Sequence, residues 1–402
     1  MSTMWFDSSK NEAPLSGTRV VELGAFITAP LTTQLLADLG AEVIKVEQPP
    51  LGDPFRNWEA HAYSPVFYAF NRNKQSLAVN LKTEEGQEIK ELLFQTADVV
   101  VHNFRPGVAK RLKIDYDSVH SLNPSVIYCG ISGLGEEGPN RDRPSYDTVG
   151  QSLSGLLGLN IDFDQPEIRG PALSDSLTGT YGALAISAAL KARSTTGKGE
   201  RIRLNMLQAT MSFLGEAYSY YFTTGVDPSS KSRPANSLSF VFRCRDNLPL
   251  SIHLSSPEKF WKELLAILEL TELDNDPRFA SHRTRTRHYQ ELTNLLTPIL
   301  ESKTRGEWLE VLGNTEIPHA PVYRISEVAS DPQIQTLNPF QKLDHPSEGS
   351  VQIVGPPFSF EQSKLRQPSL PPEMGQHTEE ILGHLGLSSS QIANLKSKGV
   401  IE

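Results

Sequence analysis

Residues 19–53, RVVELGAFITAPLTTQLLADLGAEVIKVEQPPLGD, constrain the fold of this chain more than any other stretch. A short β-rich run, residues 19–23, breaks at Gly24. Leu31, Leu35, Leu36 and Leu39 then recur on one helical face, with Pro30 in the first turn. Gly40 stands where a left-handed cap would stop the helix, and residues 42–47 read as a second strand. Strand, helix and strand in about thirty residues make a βαβ unit, so a parallel sheet is expected. Such a sheet binds ligands beyond the carboxyl ends of its strands, here around residues 24–30. The loop lacks G-x-G-x-x-G, which removes the main support for a dinucleotide.

Further strands are expected at residues 76–81, 98–101, 125–132 and 201–205, with helices between them. Thr83 is placed to cap one of these helices, with Glu84 and Glu85 in its first turn. The pattern is that of an α/β protein with a doubly wound sheet. Arg72, Lys74, Arg105 and Arg111 recur beside strand ends. Solvated surface charge accounts for each singly, while their clustering suits a polyphosphate site, and both readings stand.

Residues 147–157 have helical periodicity, with Gly150, Ser152 and Gly155 allowing close packing. Asp175 falls at the start of a long helix rich in small residues. A carboxylate there is either a simple N-cap or a nucleophile that helix amides and dipole keep ionised. Periodicity does not separate the two.

Residues 225–234 read as a linker, and a second β-rich start follows at 238–243 and 248–253. Ser256-Pro257-Glu258 opens a helix, and Thr304-x-x-Glu307 is a capping box for a helix stopped by Gly313. Pro318-His319-Ala320-Pro321 reads as a connection into a return segment, in which residues 366–372 are too Pro-rich for regular structure. Ser388-x-x-Gln391 opens a short capped helix at the end.

Composition narrows the function. A chain of 402 residues accommodates one very large domain or two ordinary ones. Its 38% hydrophobic and 21% charged residues fit a soluble globular enzyme. A net charge of −9 disfavours nucleic acid as a partner, though a local basic cluster still suits a small anion. Two isolated cysteines, Cys129 and Cys244, suit a reducing cytoplasm, with an organelle left open. Residues 1–14 lack a secretory pattern, and the most apolar helix, 181–192, is far shorter than the ~20 residues a membrane span needs. H-E-x-x-H, C-x-x-C, Walker A and G-x-S-x-G are absent, and His253, His319 and His377 read as structural or exposed. No metal site is expected.

Several segments together resemble the class III CoA-transferases, the family of formyl-CoA transferase and carnitine CoA-transferase. They are LLADLGAEVIKVEQPPLGDPFR, FNRNKQSLAVNLKTEEG, ADVVVHNFRPGV, LNPSVIYCGISGLGEEGPNRDRPSYD, TGKGERIRL, DPRFA, IPHAPV and PPEMGQHTEEIL. They cover nearly the whole chain in the family's order.

The resemblance implies an acyl-CoA:carboxylate CoA-transferase with a CoA thioester as substrate and no prosthetic group. Asp175 matches the family's catalytic aspartate, which attacks the donor thioester through anhydride and aspartyl-CoA intermediates. Lys74, Asn103, Phe104 and Arg111, with Arg72 nearby, match its CoA contacts; for Phe104, core packing is the alternative to adenine. The implied fold is a Rossmann-like large domain plus a smaller α+β domain, in an interlocked-ring homodimer. Residues 1–205 and 326–402 would build the large domain, 206–235 a linker helix and loop, and 236–325 the small domain.

Departures bear on specificity. Ile27 stands where formyl-CoA transferase has glutamine, Pro144 replaces a lysine, and PANSLS at 234–239 replaces a glycine-rich loop. The 2-methylacyl-CoA racemases of the family use a His–Asp pair, and Tyr146 with Asp147 occupies that position. A phenol with pKa ~10 is a poor base near neutrality, which favours transfer. Racemisation by another base and non-catalytic CoA binding are the alternatives. Arg56 and Arg169 are candidates to pair with a second substrate carboxylate.

Overall fold

The computed structural model describes residues 12–58, 64–254, 258–346 and 349–402. Its main sheet holds β1 (Arg19–Leu23), β2 (Glu42–Glu47), β3 (Lys74–Ala78), β4 (Val99–His102), β5 (Ile127–Ser132) and β6 (Glu200–Asn205). All pairings are parallel, in the order β3-β2-β1-β4-β5-β6. The chain winds outward through β2 and β3, returns to β4, and winds the other way. The crevice between β1 and β4 is therefore the switch point of a doubly wound sheet. The third strand starts earlier than expected: Lys74 opens it rather than preceding it.

Between the strands lie α1 (Thr28–Asp38), α2 (Pro65–Asn71), α3 (Glu84–Thr96), α4 (Pro106–Arg111) and α5 (Tyr116–Leu122). Then come α6 (Asp147–Leu153), α7 (Leu173–Thr196) and, after β6, α8 (Met206–Phe213). Thr83 caps α3 by accepting the Gly86 N–H at 3.1 Å. Gly40 ends α1 at φ +99°, with the Ala41 N–H closing on Leu36 O at 3.0 Å.

The expected leucine stripe of α1 needs correction. Leu31, Leu35 and Leu39 are only half-buried, whereas Thr32, Thr33, Gln34 and Leu36 are buried. The helix is enclosed nearly all round because α7 packs on it as closely as the sheet does. A Cβ on Gly179 would stand 2.8 Å from Leu31 Cβ, and one on Gly182 2.5 Å from Thr32 Oγ1. Glycine at both positions lets the two backbones approach.

One face of the sheet is covered by α1 and α7, through Ala29, Leu36, Ala183 and Ile186 against Val20, Val99 and Ile127. The other is covered by α3, α5 and the end of the chain, through Leu93, Phe94, Val119, Ile381 and Leu395 against Val21, Ile44 and Val100. Helices Thr378–His384 and Ser389–Ser397 supply the last of these, the second capped by the expected Ser388/Gln391 box. The described parts of residues 1–157, 170–215 and 338–402 make up this first compact unit.

The second unit takes residues 158–169 and 216–337, wider than the expected 236–325. Strands Ser239–Arg243, Pro249–His253 and His319–Pro321 form its antiparallel sheet. Read as a connection in the sequence, residues 319–321 instead pair Leu250 with Pro321 and Ile252 with His319. Prolines are tolerated there because the strand lies at the sheet edge. Trp261, Phe279, Leu292, Leu296 and Trp308 fill the core. The Thr304/Glu307 capping box opens helix Arg305–Gly313. Helix Glu258–Ile267 is present, while Ser256 and Pro257 lie outside the described residues.

Candidate active site

Where β1 and β4 end, a cleft of about 180 Å³ opens. It is lined by residues 25–28 after β1, 103–106 after β4 and 131–133 at the end of β5. Arg141, Arg143, Ser145, Tyr146, Asp175 and Met206 complete it. The switch-point crevice expected from the strand order is thus a real cavity.

Asn103 ties the two central loops together. Its Oδ1 accepts the Ala25 N–H at 3.1 Å, and its Nδ2 donates to Ala25 O at 2.7 Å and Thr28 Oγ1 at 3.0 Å. Gly24 permits this approach, since a Cβ there would lie 2.5 Å from Ala29 Cβ. Beneath the second loop, His102 is buried and accepts the Phe104 N–H on Nδ1 at 3.2 Å. Its Nε2 meets the Tyr128 hydroxyl at 2.6 Å, and that hydroxyl donates to Ile114 O at 3.0 Å. The relay assigns the proton to Nε2, and burial pushes the imidazole down to about 4, so the ring is neutral.

Phe26 is held in the left-handed region at φ +65°. Such a conformation costs a non-glycine residue about 1–2 kcal/mol, and here the loop is anchored from below. Asp53 Oδ1 accepts the N–H groups of Phe26 at 3.3 Å and Phe55 at 3.0 Å. Its Oδ2 lies 2.8 Å from Lys45 Nζ, which also donates to Gly24 O at 2.9 Å and Glu22 Oε1 at 2.7 Å. Glu22 in turn pairs with Lys74 at 2.8 Å. The four side chains are wholly buried. Burial alone would raise the Glu22 carboxyl, but Lys45 and Lys74 hold it at about 2. Burial pushes Lys74 down to about 8 despite Glu22. The Phe26 ring meets Tyr146 edge-on at 5.6 Å and Phe55 at 5.4 Å.

Asp175 lies in the first turn of α7, not at its cap. The residue before the helix is Ala172, whose side chain has no acceptor. The cap comes from α6: Asp147 Oδ1 accepts the N–H groups of Ser174 at 2.8 Å and Asp175 at 3.2 Å. Gln151 Nε2 donates to Asp147 Oδ2 at 2.6 Å. Among the described residues the Asp175 carboxylate has no hydrogen-bond partner. Burial, then the adjacent Asp147, push it up to about 7. This corrects the expectation that helix amides hold Asp175 ionised, because Asp147 occupies them.

The structure brings together Asp175, Tyr146, Asn103 and Phe104 around the cleft, with Asp147 directly behind Asp175. Tyr146 is 63% exposed. Arg111 is exposed at the end of α4 and does not line the cleft. Lys74 and Arg72 require correction as CoA contacts. Lys74 Nζ donates to Pro30 O, Phe70 O and Asn71 Oδ1 at 2.8–2.9 Å, besides its pairing with Glu22. Arg72 is buried against Asp38, with Nε at 2.9 Å from Oδ1. Both cations are buried in ion pairs, and neither lines the cleft.

Arg56 is likewise engaged bidentately by Glu47, each contact 2.7 Å, and Arg169 pairs with Glu167 at 2.9 Å. The cations that do face the cleft are Arg105, Arg141 and Arg143. Arg141 and Arg143 were not singled out in the sequence; the R-D-R triplet before Tyr146 was the available signal. Nothing in the sequence marked the left-handed Phe26.

The family model for CoA-transferase family III matches residues 15–378. This chain belongs to CoA-transferase family III. An acyl-CoA transferase of Fusarium pseudograminearum is 33% identical to it, over 98% of this chain and 90% of that protein. The mouse succinyl-CoA:glutarate CoA-transferase is 32% identical, over 97% of this chain and 90% of that protein. Among solved structures, a CAIB/BAIF family protein from Brucella suis is 32% identical with a TM-score of 0.82, covering 93% of this chain and 99% of that one. The family III CoA-transferase is therefore an enzyme of the acyl-CoA:carboxylate CoA-transferase type, and CoA thioesters are the substrates of its class. Its cleft lies where a doubly wound sheet presents a ligand site.

Proposed function

We propose that this protein moves CoA from an acyl-CoA donor to a carboxylic acid acceptor through covalent intermediates on Asp175. The observation that carries this reading is a half-buried carboxylate, without a hydrogen-bond partner among the described residues, facing the switch-point cleft. An Asp175 oxygen attacks the thioester carbonyl carbon, the C–S bond breaks, and CoA leaves as thiolate. The thiolate then attacks the Asp175 carbonyl of the mixed anhydride, and the donor acid departs as carboxylate. The acceptor carboxylate repeats both steps in reverse, so thioester energy is conserved.

Arg105, Arg141 and Arg143 supply positive charge to hold the anionic substrates against the cleft. Asn103 shapes the loop over which CoA lies, Phe104 offers a half-exposed ring beside it, and Arg111 is in reach of its outer phosphates. The buried free thiols Cys129 and Cys244 are in keeping with the cytoplasm. No described helix is long and apolar enough to cross a membrane. An interlocked homodimer fits the exposed apolar side chains of Leu184, Phe213, Tyr220 and Phe222 and a chain that returns to its first unit at residue 338.

The racemase alternative is not favoured. The Tyr146 phenol is a weak base at neutral pH, and the Asp147 carboxylate is occupied by helix amides. A 2-methylacyl-CoA in heavy water should take up no enzyme-dependent deuterium at the α-carbon; rapid uptake without acceptor acid would favour that alternative.

Trapping tests the main proposal. With acyl-CoA and no acceptor, hydroxylamine or borohydride should mark one peptide, the one containing Asp175. Asp175→Asn should remain folded with turnover down by several orders of magnitude. A label elsewhere, or an active Asn variant free of deamidation, would sink the assignment.

A further inference from the structure

We infer that Asp147 is a positioning anion: by taking the amides of α7 for itself, it withholds them from Asp175 and drives negative charge off that residue into the acylated intermediates. The inference rests on the proposed role of Asp175 as nucleophile.

Three hydrogen bonds fix Asp147. It accepts from the Ser174 and Asp175 amides and from Gln151 Nε2, and acts toward all three as an acceptor, as an ionised carboxylate does. Gln151 is itself buried and also reaches Pro171 O at 3.4 Å, which locks the end of the loop entering α7. The two backbone amides nearest Asp175 therefore stabilise the charge on Asp147, not on Asp175. Ser174 does not compensate, because its hydroxyl is buried against Thr210 Oγ1 at 2.5 Å.

The cleft that Asp175 lines also holds Tyr146 and the exposed Arg105, Arg141 and Arg143. The arginines are positioned to meet incoming substrate anions. Burial, and then the like charge of Asp147, raise the free Asp175 carboxyl to about 7.

This arrangement has a consequence for the reaction. In the first half-reaction the Asp175 carboxylate and an acyl-CoA become an aspartyl-CoA thioester and a free carboxylate. The acyl C–S bond and one C–O bond of Asp175 break; the thioester C–S bond of Asp175 forms, and that oxygen leaves with the donor acid. One negative charge passes from Asp175 to the departing acid. Repulsion from Asp147 weighs on the free Asp175 carboxylate and not on its neutral anhydride or thioester. It therefore shifts the internal equilibrium toward the acylated forms. The second half-reaction regenerates the carboxylate, so the overall equilibrium between substrates is unaffected.

Asp147→Asn tests this: asparagine keeps an Oδ1 acceptor for both amides and removes the charge, while its Nδ2 requires the Gln151 amide to turn its oxygen toward it. At a fixed ratio of acyl-CoA to free acid, the ratio of aspartyl-CoA thioester to free enzyme, read by intact-protein mass, should fall tenfold or more. The acid limb of kcat/KM should move to lower pH. Asp147→Ser, a shorter neutral cap, should shift both readouts in the same direction, which a packing defect would not do. Isotope-edited infrared titration of wild-type Asp175 needs no variant, and a midpoint near 4 would overturn the inference. So would an unmoved ratio and limb in a folded Asp147→Asn protein. Hydroxylamine labelling separates the two failures: a label on another residue removes the nucleophile assignment, whereas a label on Asp175 with an unmoved ratio removes only the role of Asp147.

Discussion

Thr32 and Gly179 are joined across two helices, with the Thr32 hydroxyl on α1 3.0 Å from the Gly179 carbonyl oxygen on α7. The same hydroxyl also lies 2.9 Å from Thr28 O in its own helix. A side chain thus locks the backbone of α7 one turn beyond Asp175. The candidate nucleophile is held by helix packing, and the cleft is only as well placed as that contact allows.

Enlarging this contact should harm both stability and turnover. Gly182→Val adds atoms where a Cβ alone would already stand 2.5 Å from Thr32 Oγ1. Overpacking of this kind costs about 1–3 kcal/mol, visible as a lower urea midpoint with an unchanged slope. A fall in kcat larger than the change in KM is expected, because α7 carries Asp175 out of line.

The buried network under Phe26 should be intolerant of single changes. Lys45→Met leaves Glu22 and Asp53 partly unpaired in the interior, a loss of about 3–5 kcal/mol. The Glu22 carboxyl lies at about 2, below its unfolded value of 4.5. Its contribution to stability is therefore complete above pH 4.5 and lost as pH falls toward 2. Glu22→Gln should be less stable at neutrality and show a flatter stability profile across that window in acid titrations followed by circular dichroism.

Asp175 should show the opposite sign. Its folded value of about 7 exceeds the unfolded 3.8, so the folded state holds the proton more tightly. Its contribution is present below the unfolded value and lost as pH rises through 7. Asp175→Asn should be more stable than wild type at pH 8 by up to about 2 kcal/mol, after allowance for solvent screening, and no more stable at pH 4. Equal denaturation midpoints at both pH values would contradict the raised carboxyl.

Arg143 faces the cleft without an ion pair among the described residues. Arg143→Ala should raise the KM for acyl-CoA about tenfold, as expected for losing one hydrogen bond to a charged group, with stability nearly unchanged. Titration calorimetry with CoA checks whether the loss lies in binding.

Subunit exchange checks assembly. An interlocked dimer should exchange no subunits with a tagged copy until both are unfolded. Ready mixing, or a folded monomer at working concentration, would count against it.

Local chemistry was enough to place much of the fold. The β1-α1-β2 unit, Gly40, the Thr83 cap and the Ser388/Gln391 box all appear as their residues require, because each depends on neighbours within a few positions. Asp175 was legible for the same reason, as an acid in the first turn of a long helix, and family resemblance pointed to the same residue. What the sequence left open was partnership. Whether Lys74 and Arg72 meet a ligand or a buried carboxylate depends on Glu22 and Asp38, which lie 52 and 34 residues away in the chain. The cap of α7 comes from Asp147, 28 residues before Asp175, so a reading of local sequence assigned the helix amides to the wrong carboxylate. Strand order brought the loops after β1 and β4 together, and tertiary packing set Arg143 and Phe26 in the cleft that Asp175 lines. Charge state at this site is a property of burial and of the nearest opposing or like charge, and both are created only when distant segments pack.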